Sequence, residues 1–249
     1  MSPPDDASQD VTTFGVLGDL HGRVDRLGPV IDALADRPLD AVVLVGDLVS
    51  PHWEREHLGT SAAHDTFADE VAAVLDRLAL LDVPVTWVPG NHDLPGVSVG
   101  ANLDRRVESI AGVTVYGLGG SGPARFGFPY EWDDAEVDAL DPPPVDLLLS
   151  HAPPLDCGLD RLIGGKPVGS AAVRRLCRRA RTLACGHIHE SAGIAVVDGC
   201  LCLNAGGIGG PHSRLQLGWL RFEAHGVHAE HLDLTTGERR AESLVERPG

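Results

Sequence analysis

The sequence predicts an α/β fold, and three observations lead to this class. Within the first ninety residues, apolar runs of strand length alternate with segments that have the 3.6-residue periodicity of an amphipathic helix. This alternation is typical of a parallel sheet with right-handed crossovers. Polar residues gather directly after each run, where open α/β sheets bind their ligands. The 43% content of hydrophobic residues is sufficient for a packed core.

The first half of the chain supplies three predicted strands and two predicted helices. A strand at 13–18 precedes a helix that accepts Pro29 in its first turn. The continuous apolar run 40–46 suits a strand that is buried on both faces, as in a parallel sheet. A long amphipathic helix at 60–81 then leads to a third strand at 84–88.

The second half is richer in strands. Its predicted elements are strands at 112–118, 145–149 and 182–185, a helix at 170–181, and two hairpins at 194–203 and 215–234. No internal repeat and no linker rich in Gly, Ser or Pro divides the chain. We therefore expect one domain at 12–240, with a disordered acidic tail at 1–11 and a C-terminal tail at 241–249.

Charge and cysteine content exclude several classes of protein. The 36 acidic and 20 basic residues give a formal net charge of −16, which argues against a long duplex nucleic acid as partner. No apolar run approaches the roughly 18 residues of a membrane span, and the N-terminus lacks the features of a secretory signal. The five cysteines form no CxxC pair, so we expect a cytoplasmic protein without disulfides. Cys200 and Cys202 alternate with leucines and are predicted to be buried core residues.

Five predicted strand ends each deliver side chains that can bind a metal ion. They are Asp19 with His21, Asp47, Asn91, His151, and His187 with His189. Carboxylate, imidazole and amide oxygen form a mixed set of ligands that suits Mn, Fe, Zn, Co or Ni. Seven ligands are too many for one ion with an open position, but they fit two ions if one carboxylate bridges them. Such a pair could hold the attacking and leaving oxygens of a displacement at phosphorus.

These segments resemble the calcineurin-like metallophosphoesterases, and the similarity is greatest to their small single-domain prokaryotic members. The family pattern reads Asp-x-His, Gly-Asp, Gly-Asn-His-Asp or Glu, a single His, and Gly-His-x-His. The chain contains these five blocks in the same order between residues 18 and 189. The resemblance implies a four-layer α/β/β/α sandwich, in which two mixed β-sheets are flanked by helices.

The resemblance also implies a role for each residue. The expected ligands are Asp19, His21 and His189 for one ion, Asn91, His151 and His187 for the other, and Asp47 as the bridge. His92 would act as general acid for the leaving group or stabilise charge on the transferring phosphoryl group, and Asp93 would orient the His92 ring. The nucleophile would be a hydroxide that bridges two divalent ions, with manganese favoured and iron, zinc, nickel or cobalt as alternatives. Because two divalent cations outweigh the two carboxylates that hold them, a phosphate would be attracted despite the negative net charge.

The substrate contacts and the identity of the substrate stay open. Arg23 follows His21 closely enough to reach a phosphate oxygen, and His52 lies in the loop after Asp47 that borders the inferred site. The substrate is expected to be a small phosphorylated compound, and cyclic nucleotides, dinucleoside polyphosphates, nucleic-acid ends and small monoesters are all compatible. The oligomeric state is open as well.

Two other classes of protein compete with this interpretation. The chain could be a binding scaffold of the same fold without catalysis, although such relatives typically lack the catalytic His or a ligand, and both are present here. Another binuclear hydrolase is the second competitor. A metallo-β-lactamase-like enzyme needs His-x-His-x-Asp-His, which is absent. An amidohydrolase-like enzyme expects His-x-His on its first strand, whereas that pair comes late here, at His187 and His189.

Overall fold

The computed structural model describes residues 11–49, 60–210 and 212–245. The strands of the first sheet are β1 (Thr12–Leu17), β2 (Ala41–Leu44), β3 (Val85–Trp87), β4 (Ala101–Asn102), β11 (Gln216–Glu223), β12 (Gly226–Asp233) and β13 (Glu238–Val245). The strands of the second sheet are β5 (Val107–Ile110), β6 (Val113–Leu118), β7 (Val145–Ser150), β8 (Ala180–Cys185), β9 (Gly193–Val197) and β10 (Cys200–Asn204). The helices are α1 (Leu27–Ala35), α2 (Ser61–Leu78), α3 (Asp134–Asp138) and α4 (Ala171–Leu176).

Both sheets are mixed, as the resemblance predicts. The first has the strand order β13-β12-β11-β1-β2-β3-β4, and the second has the order β5-β6-β7-β8-β10-β9. Strands β1 to β4 are parallel, and so are β6, β7, β8 and β10. The remaining strands pair antiparallel at the sheet edges. Each set of parallel strands therefore places its carboxyl ends along a common edge, and these edges carry the predicted ligands.

The core forms three apolar layers, and this confirms the four-layer sandwich. Helices α1 and α2 pack on one face of the first sheet, the two sheets face each other, and α3 and α4 cover the outer face of the second sheet. Strand β2 illustrates the pattern, because Val42 and Leu44 point to the helices while Val43 points to the opposite sheet. The continuous apolar run was thus correctly read as a strand buried on both faces.

Several predicted boundaries were wrong. The helix expected at 170–181 ends at Leu176 and continues as a 3-10 turn to Arg179, and β8 begins at Ala180. Strand β13 continues to Val245, so it occupies part of the region predicted as a C-terminal tail from 241. Its side chains are mostly exposed, and this edge strand therefore lacks the apolar alternation by which strands are recognised.

Three short elements were also missed, namely β4, β5 and α3. Residues 1–10 of the predicted N-terminal tail and most of the loop after Asp47, which includes His52, lie outside the described residues. Among the helices that the structure describes, none is both long enough and apolar enough to cross a membrane.

Candidate metal centre

The carboxyl ends of five parallel strands bring the predicted ligands to one place. Asp19 and His21 follow β1, Asp47 follows β2, Asn91 follows β3, His151 follows β7, and His187 and His189 follow β8. The loops are joined by backbone hydrogen bonds. The Asp19 amide donates to the Gly46 carbonyl at 2.9 Å, and the His21 amide donates to the Asp47 carbonyl at 2.9 Å. The two sheets thus contribute ligands to a single cluster.

One group of ligand atoms consists of Asp19, His21 and His189, whose nearest donor atoms all lie within 4.8 Å of one another. Nε2 of His189 lies 2.9 Å from Oδ1 of Asp19, and Nε2 of His21 lies 3.9 Å from the same oxygen. All three residues are buried. They are the three ligands that the resemblance assigns to the first ion.

A second group consists of Asp19, Asp47 and His151, again within 4.8 Å. Oδ2 of Asp47 lies 3.6 Å from Nε2 of His151 and 3.7 Å from Nε2 of His21. The Asp47 carboxylate therefore lies between a histidine of each group, where a bridging ligand is required. Oδ1 of Asn91 adds a further ligand atom at 2.9 Å from Nε2 of His151.

His187 occupies a different position from the other predicted ligands. Its backbone amide donates to Oδ2 of Asp19 at 3.0 Å, and its ring packs edge-on against His151 at a centroid distance of 5.0 Å. Loss of solvation and the proximity of His151 lower the pKa of His187 to about 3. The ring is therefore neutral, which is the form of imidazole that binds metals, but it lies outside both groups of close ligand atoms.

The unsatisfied polar atoms of this cluster fit bound cations. Both ring nitrogens of His21 are buried without a hydrogen-bond partner, and Oδ1 of Asp19 has ion-pair contacts with histidine nitrogens but no hydrogen bond, an arrangement that costs free energy unless another ligand is present. Nδ1 of His151 donates to the Val45 carbonyl at 2.7 Å, because a carbonyl oxygen can only accept. Nε2 of the same ring lies 2.9 Å from Oδ1 of Asn91. In the neutral ring both of these atoms are acceptors, and a cation between them would suit the pair.

Outer hydrogen bonds hold two of the histidine rings in place. The Val45 carbonyl fixes His151, and the Ser213 hydroxyl lies 2.9 Å from Nδ1 of His189. Each contact leaves Nε2 directed at the carboxylates, which is the usual orientation of a metal-binding histidine. Sequence patterns did not identify Ser213, because it lies in the loop before β11, far along the chain from every motif.

The carboxylates are stabilised in their charged form. Burial alone would raise the pKa of Asp19, but the adjacent His189 lowers it well below the ordinary value, and His151 and His21 act in the same direction. For Asp47, burial is likewise outweighed by His151, His21 and His92, so its pKa is also lowered. Both side chains are therefore available as anionic ligands at neutral pH.

Four of the predicted ligands have an unusual backbone conformation. Asp19, His21, Asp47 and His187 have positive φ angles between 46° and 66°, in the left-handed region that non-glycine residues rarely adopt. Such conformations cost of order 1–3 kcal/mol each and persist where surrounding structure enforces them, most often at functional sites. The side chains of Asp19, His21 and Asp47 belong to the ligand groups, whereas that of His187 lies outside them.

The family model of the calcineurin-like phosphoesterases matches residues 12–191 of this chain. That span contains every predicted ligand. The chain belongs to the calcineurin-like phosphoesterase family. The resemblance seen in the five motifs is therefore confirmed. The chain is also 30% identical over 206 residues to the uncharacterized protein MJ1162 of Methanocaldococcus jannaschii, a match that covers 76% of this chain and 85% of that protein.

Solved structures share the fold of this calcineurin-like phosphoesterase. TT1561 of Thermus thermophilus matches 94% of this chain and 99% of its own, with a TM-score of 0.57 and 16% identity. A single mutant of Vps29 from Entamoeba histolytica matches 95% of this chain and 100% of its own, with a TM-score of 0.50 and 16% identity. At these identities the likeness concerns the fold alone.

His92 lies at the border of the cluster, beside the ligands. Its ring packs edge-on against His21 at a centroid distance of 5.3 Å, and its backbone amide donates to Oδ1 of Asp47 at 2.9 Å. The ring is half-buried. Like His187, His92 is not a member of either group of close ligand atoms, and its role in proton transfer stays a prediction.

The expected partnership between Asp93 and the His92 ring is not formed. The buried Asp93 carboxylate instead accepts hydrogen bonds from the backbone amides of Leu48, Val49 and Gly90, at 2.7–3.3 Å. Burial and the charge of Asp47 raise the pKa of Asp93 to about 7. Asp93 therefore joins the loop after β2 to the loop after β3. The resemblance implied the neighbouring His92 ring as partner, but adjacent residues need not point the same way, and the orienting role stays a prediction.

The two predicted substrate contacts have different outcomes. The exposed Arg23 guanidinium is paired with Asp25 through two hydrogen bonds of 2.8 and 2.7 Å, so in this conformation it does not face the cluster. Contact between Arg23 and a substrate stays a prediction. His52 lies outside the described residues.

A third group of metal-capable atoms is formed by the thiols of Cys177, Cys200 and Cys202. They lie in the apolar layer between the second sheet and α4, with at most 1% of each residue exposed. The prediction that Cys200 and Cys202 are buried core residues is confirmed. All five cysteines are free thiols.

Proposed function

We propose that this family member is a binuclear metal-dependent hydrolase of phosphoesters. The observation that carries the proposal is the position of the Asp47 carboxylate, whose Oδ2 lies 3.7 Å from Nε2 of His21 in the first group and 3.6 Å from Nε2 of His151 in the second. One carboxylate can then serve two ions, as hydrolysis by a metal pair requires. The unsatisfied atoms of Asp19 and His21 support the same interpretation.

In this proposal, Asp19, His21 and His189 hold one divalent ion, and Asn91 and His151 hold the other together with His187. When bound, the ions supply positive charge for the phosphoryl oxygens and lower the pKa of a water molecule so that it can attack phosphorus. Manganese is our first expectation, with iron, zinc, nickel or cobalt as alternatives, because this set of ligands accepts all of them.

His92 is the proposed proton donor to the leaving group. It borders both His21 and solvent, since its ring packs against His21 and is half-buried. A leaving oxygen at the edge of the ligand cluster would therefore meet the imidazole. Because His92 has no role as a ligand, its removal separates proton transfer from metal binding.

The proposed substrate is a small phosphorylated compound, either a monoester or a diester. The net charge of −16 disfavours long duplex nucleic acid, whereas nucleotides and dinucleoside polyphosphates remain candidates. We propose a cytoplasmic location, in keeping with five free thiols.

A binding scaffold without catalysis is the alternative, and the likeness to Vps29 in fold does not distinguish the two. The test compares His92→Ala with Asp47→Asn. We expect His92→Ala to retain two metal ions per chain and to lower kcat by about 100-fold or more for an alkyl phosphoester, whose leaving oxygen needs a proton. Asp47→Asn should lose both metal and activity, because the amide cannot bridge two cations as a carboxylate does. Metal content by mass spectrometry and initial rates are the measurements.

Two substitutions away from the cluster serve as controls. Asp146→Asn removes a carboxylate near the opposite end of β7, and His228→Ala removes an imidazole of β12; neither should change metal content or turnover. Wild-type protein that binds two ions but hydrolyses none of a panel of monoesters and diesters would support the scaffold. Full activity of both site variants would contradict the proposal.

A further inference from the structure

Exposed aromatic side chains occur in one place in the described part of the chain. Phe126 is 61% exposed and Phe128 is 38% exposed, whereas every other described Phe, Tyr and Trp is at most 8% exposed. Both phenylalanines lie in the loop between β6 and α3. Composition gave no hint of them, because the loop is otherwise dominated by glycine and proline. We call this pair the aromatic platform.

The aromatic platform lies next to His92, the proposed proton donor. The Phe128 ring lies 4.6 Å from the His92 ring, centroid to centroid, and the Phe126 ring lies 6.3 Å from that of Phe128. His92 in turn contacts His21 of the ligand cluster. The rings therefore form a path that leads outward from the ligands, with the Arg125 guanidinium 5.1 Å from the Phe126 ring at its outer end.

Hydrogen bonds hold this loop in place, so the exposure of the platform is a property of a fixed structure. The Glu131 carboxylate accepts from the amides of Phe126 and Gly127 at 3.1 and 2.7 Å. The Tyr130 amide donates to the Asn91 carbonyl at 3.2 Å, and its hydroxyl donates to Asp104 at 2.7 Å. The loop is thus attached directly to the backbone of a predicted ligand.

We propose that the aromatic platform is a subsite for a planar aromatic leaving group of the phosphoester. This inference rests on the proposed function, because it assigns the region next to His92 to the leaving group. A flat ring attached to the leaving oxygen could stack on Phe128 while His92 protonates that oxygen. Stacking on an aromatic side chain is favourable and tolerant of ring identity. Aryl esters and nucleoside esters share this chemistry.

A packing role for Phe128 is the competing explanation, since its ring could simply hold the His92 imidazole in place. The two explanations differ in selectivity. If Phe128 only positions His92, its loss should slow every substrate, and it should slow those with a poor leaving group the most, because they depend most on the proton. If it stacks on the leaving group, its loss should slow planar substrates and spare others.

The experiment compares phenyl and cyclohexyl esters of the same phosphate, which are similar in size and apolar but only one of which is flat. The monoesters or the methyl diesters are used, whichever the metal-loaded wild type hydrolyses. We expect Phe128→Ala to lower kcat/KM about 10-fold for the phenyl ester and to change it less than about 2-fold for the cyclohexyl ester. Phe128→Trp, which keeps a flat ring, should retain the preference. The kcat/KM of each variant is compared with that of the wild type on the same ester, so the difference in intrinsic reactivity between the two leaving groups does not enter the comparison.

A third ester, that of adenosine, distinguishes the two sources of a planar group. Phe126→Ala should lower kcat/KM for the adenosine ester but leave the phenyl ester unchanged, because the ribose carries the base farther from phosphorus. If Phe126→Ala changes kcat/KM for neither ester, the subsite would consist of Phe128 alone and would accept only small aryl groups.

A binding experiment tests the inference even if the protein hydrolyses none of these esters. Phenylphosphonate and cyclohexylphosphonate are titrated into metal-loaded protein by calorimetry, and Phe128→Ala should weaken only the phenyl compound, again by about 10-fold. A protein that shows this preference without turnover would contradict the proposed function alone. Equal effects of Phe128→Ala on the flat and the non-flat compounds, or no effect on either, would overturn the aromatic subsite.

Discussion

At the scale of single residues, the glycines of the motifs are as informative as the ligands beside them. A Cβ atom on Gly90 would lie 2.0 Å from Oδ1 of Asp47, and one on Gly186 would lie 2.2 Å from Oδ2 of Asp19. The carboxylates of Asp47 and Asp19 therefore occupy the space that a side chain would need. The glycine in Gly-Asn-His and in Gly-His-x-His is required by this close approach, and neither residue has a positive φ angle.

Substitution of Gly90 by alanine tests this steric requirement. We expect Gly90→Ala to displace the Asp47 carboxylate, to weaken metal binding at least 10-fold and to destabilise the protein by about 1–3 kcal/mol, as overpacking of a well-packed region does. The measurements are metal titration by calorimetry and urea unfolding of the metal-free protein.

Gly28→Ala is the matched control. Gly28 lies in α1, and a Cβ there would meet nothing within 4 Å. Alanine should raise the free energy of unfolding by about 0.5–1 kcal/mol without affecting metal binding. If Gly90→Ala binds metal with wild-type affinity, the Asp47 loop can shift to accommodate a Cβ atom. That result would contradict the steric explanation of the glycine.

The sequence allowed the ligands to be predicted because each is a metal-capable residue directly after an apolar run. It could not reveal what a side chain contacts across the fold. Ser213 orients His189 from a loop that carries no motif, and Phe128 reaches His92 from another. Asp93 was assigned to its neighbour His92, yet it accepts from amides 44 and 45 residues away. Such partners depend on tertiary geometry.

At the scale of elements, Asp93 joins two strand ends. Its carboxylate accepts the amides of Leu48 and Val49 after β2 and that of Gly90 after β3, which places Asp47 and Asn91 at a fixed separation. The carboxylate thus has a structural role in a motif where it was expected to assist catalysis.

We expect Asp93→Ala to destabilise the metal-free protein by about 2–4 kcal/mol, because three buried amides would lose the acceptor that they share. Metal affinity should fall as well, since the two loops would no longer be held together. His92→Ala serves as the comparison and should leave the free energy of unfolding unchanged within about 0.5 kcal/mol. If Asp93→Ala has wild-type stability and only its turnover is slower, the structural role would be contradicted. That result would support the expected role of Asp93 in orienting the His92 ring.

Elements were predicted well where both faces are buried and poorly where they are exposed. Strand β2 was recognised from a continuous apolar run, and all its residues are buried. Strand β13 has the sequence ERRAESLV and is exposed over most of its length, so neither apolar content nor alternation distinguishes it from a loop. It forms through its backbone pairing with β12, and charged residues on such an edge discourage pairing with other chains.

At the scale of the whole molecule, a net charge of −16 is left after all arginines and the lysine are counted, although part of the charge is arranged in local ion pairs. Arginines of α4 and the following turn pair with Asp138, Asp141 and Asp198 at 2.5–3.5 Å. Exposed pairs of this kind contribute about 0–1 kcal/mol each. The remaining acidic excess repels itself and opposes the compact state. Added salt weakens both the attraction within ion pairs and the repulsion among the excess acidic residues. If the ion pairs contribute more, salt lowers the stability of the protein, and if the repulsion contributes more, salt raises it.

We expect self-repulsion to dominate, so that potassium chloride stabilises the metal-free protein at pH 7. Screening strengthens as the Debye length falls from about 10 Å at 0.1 M to about 3 Å at 1 M salt, and the urea midpoint should rise over this range. The same titration near pH 5, close to the isoelectric point of about 5.0, is the internal control. There the net charge approaches zero, so only the weakening of ion pairs remains, and salt should have little effect or a destabilising one. An equal rise of the midpoint at both pH values would mean that salt acts through hydration of apolar surface instead of through charge.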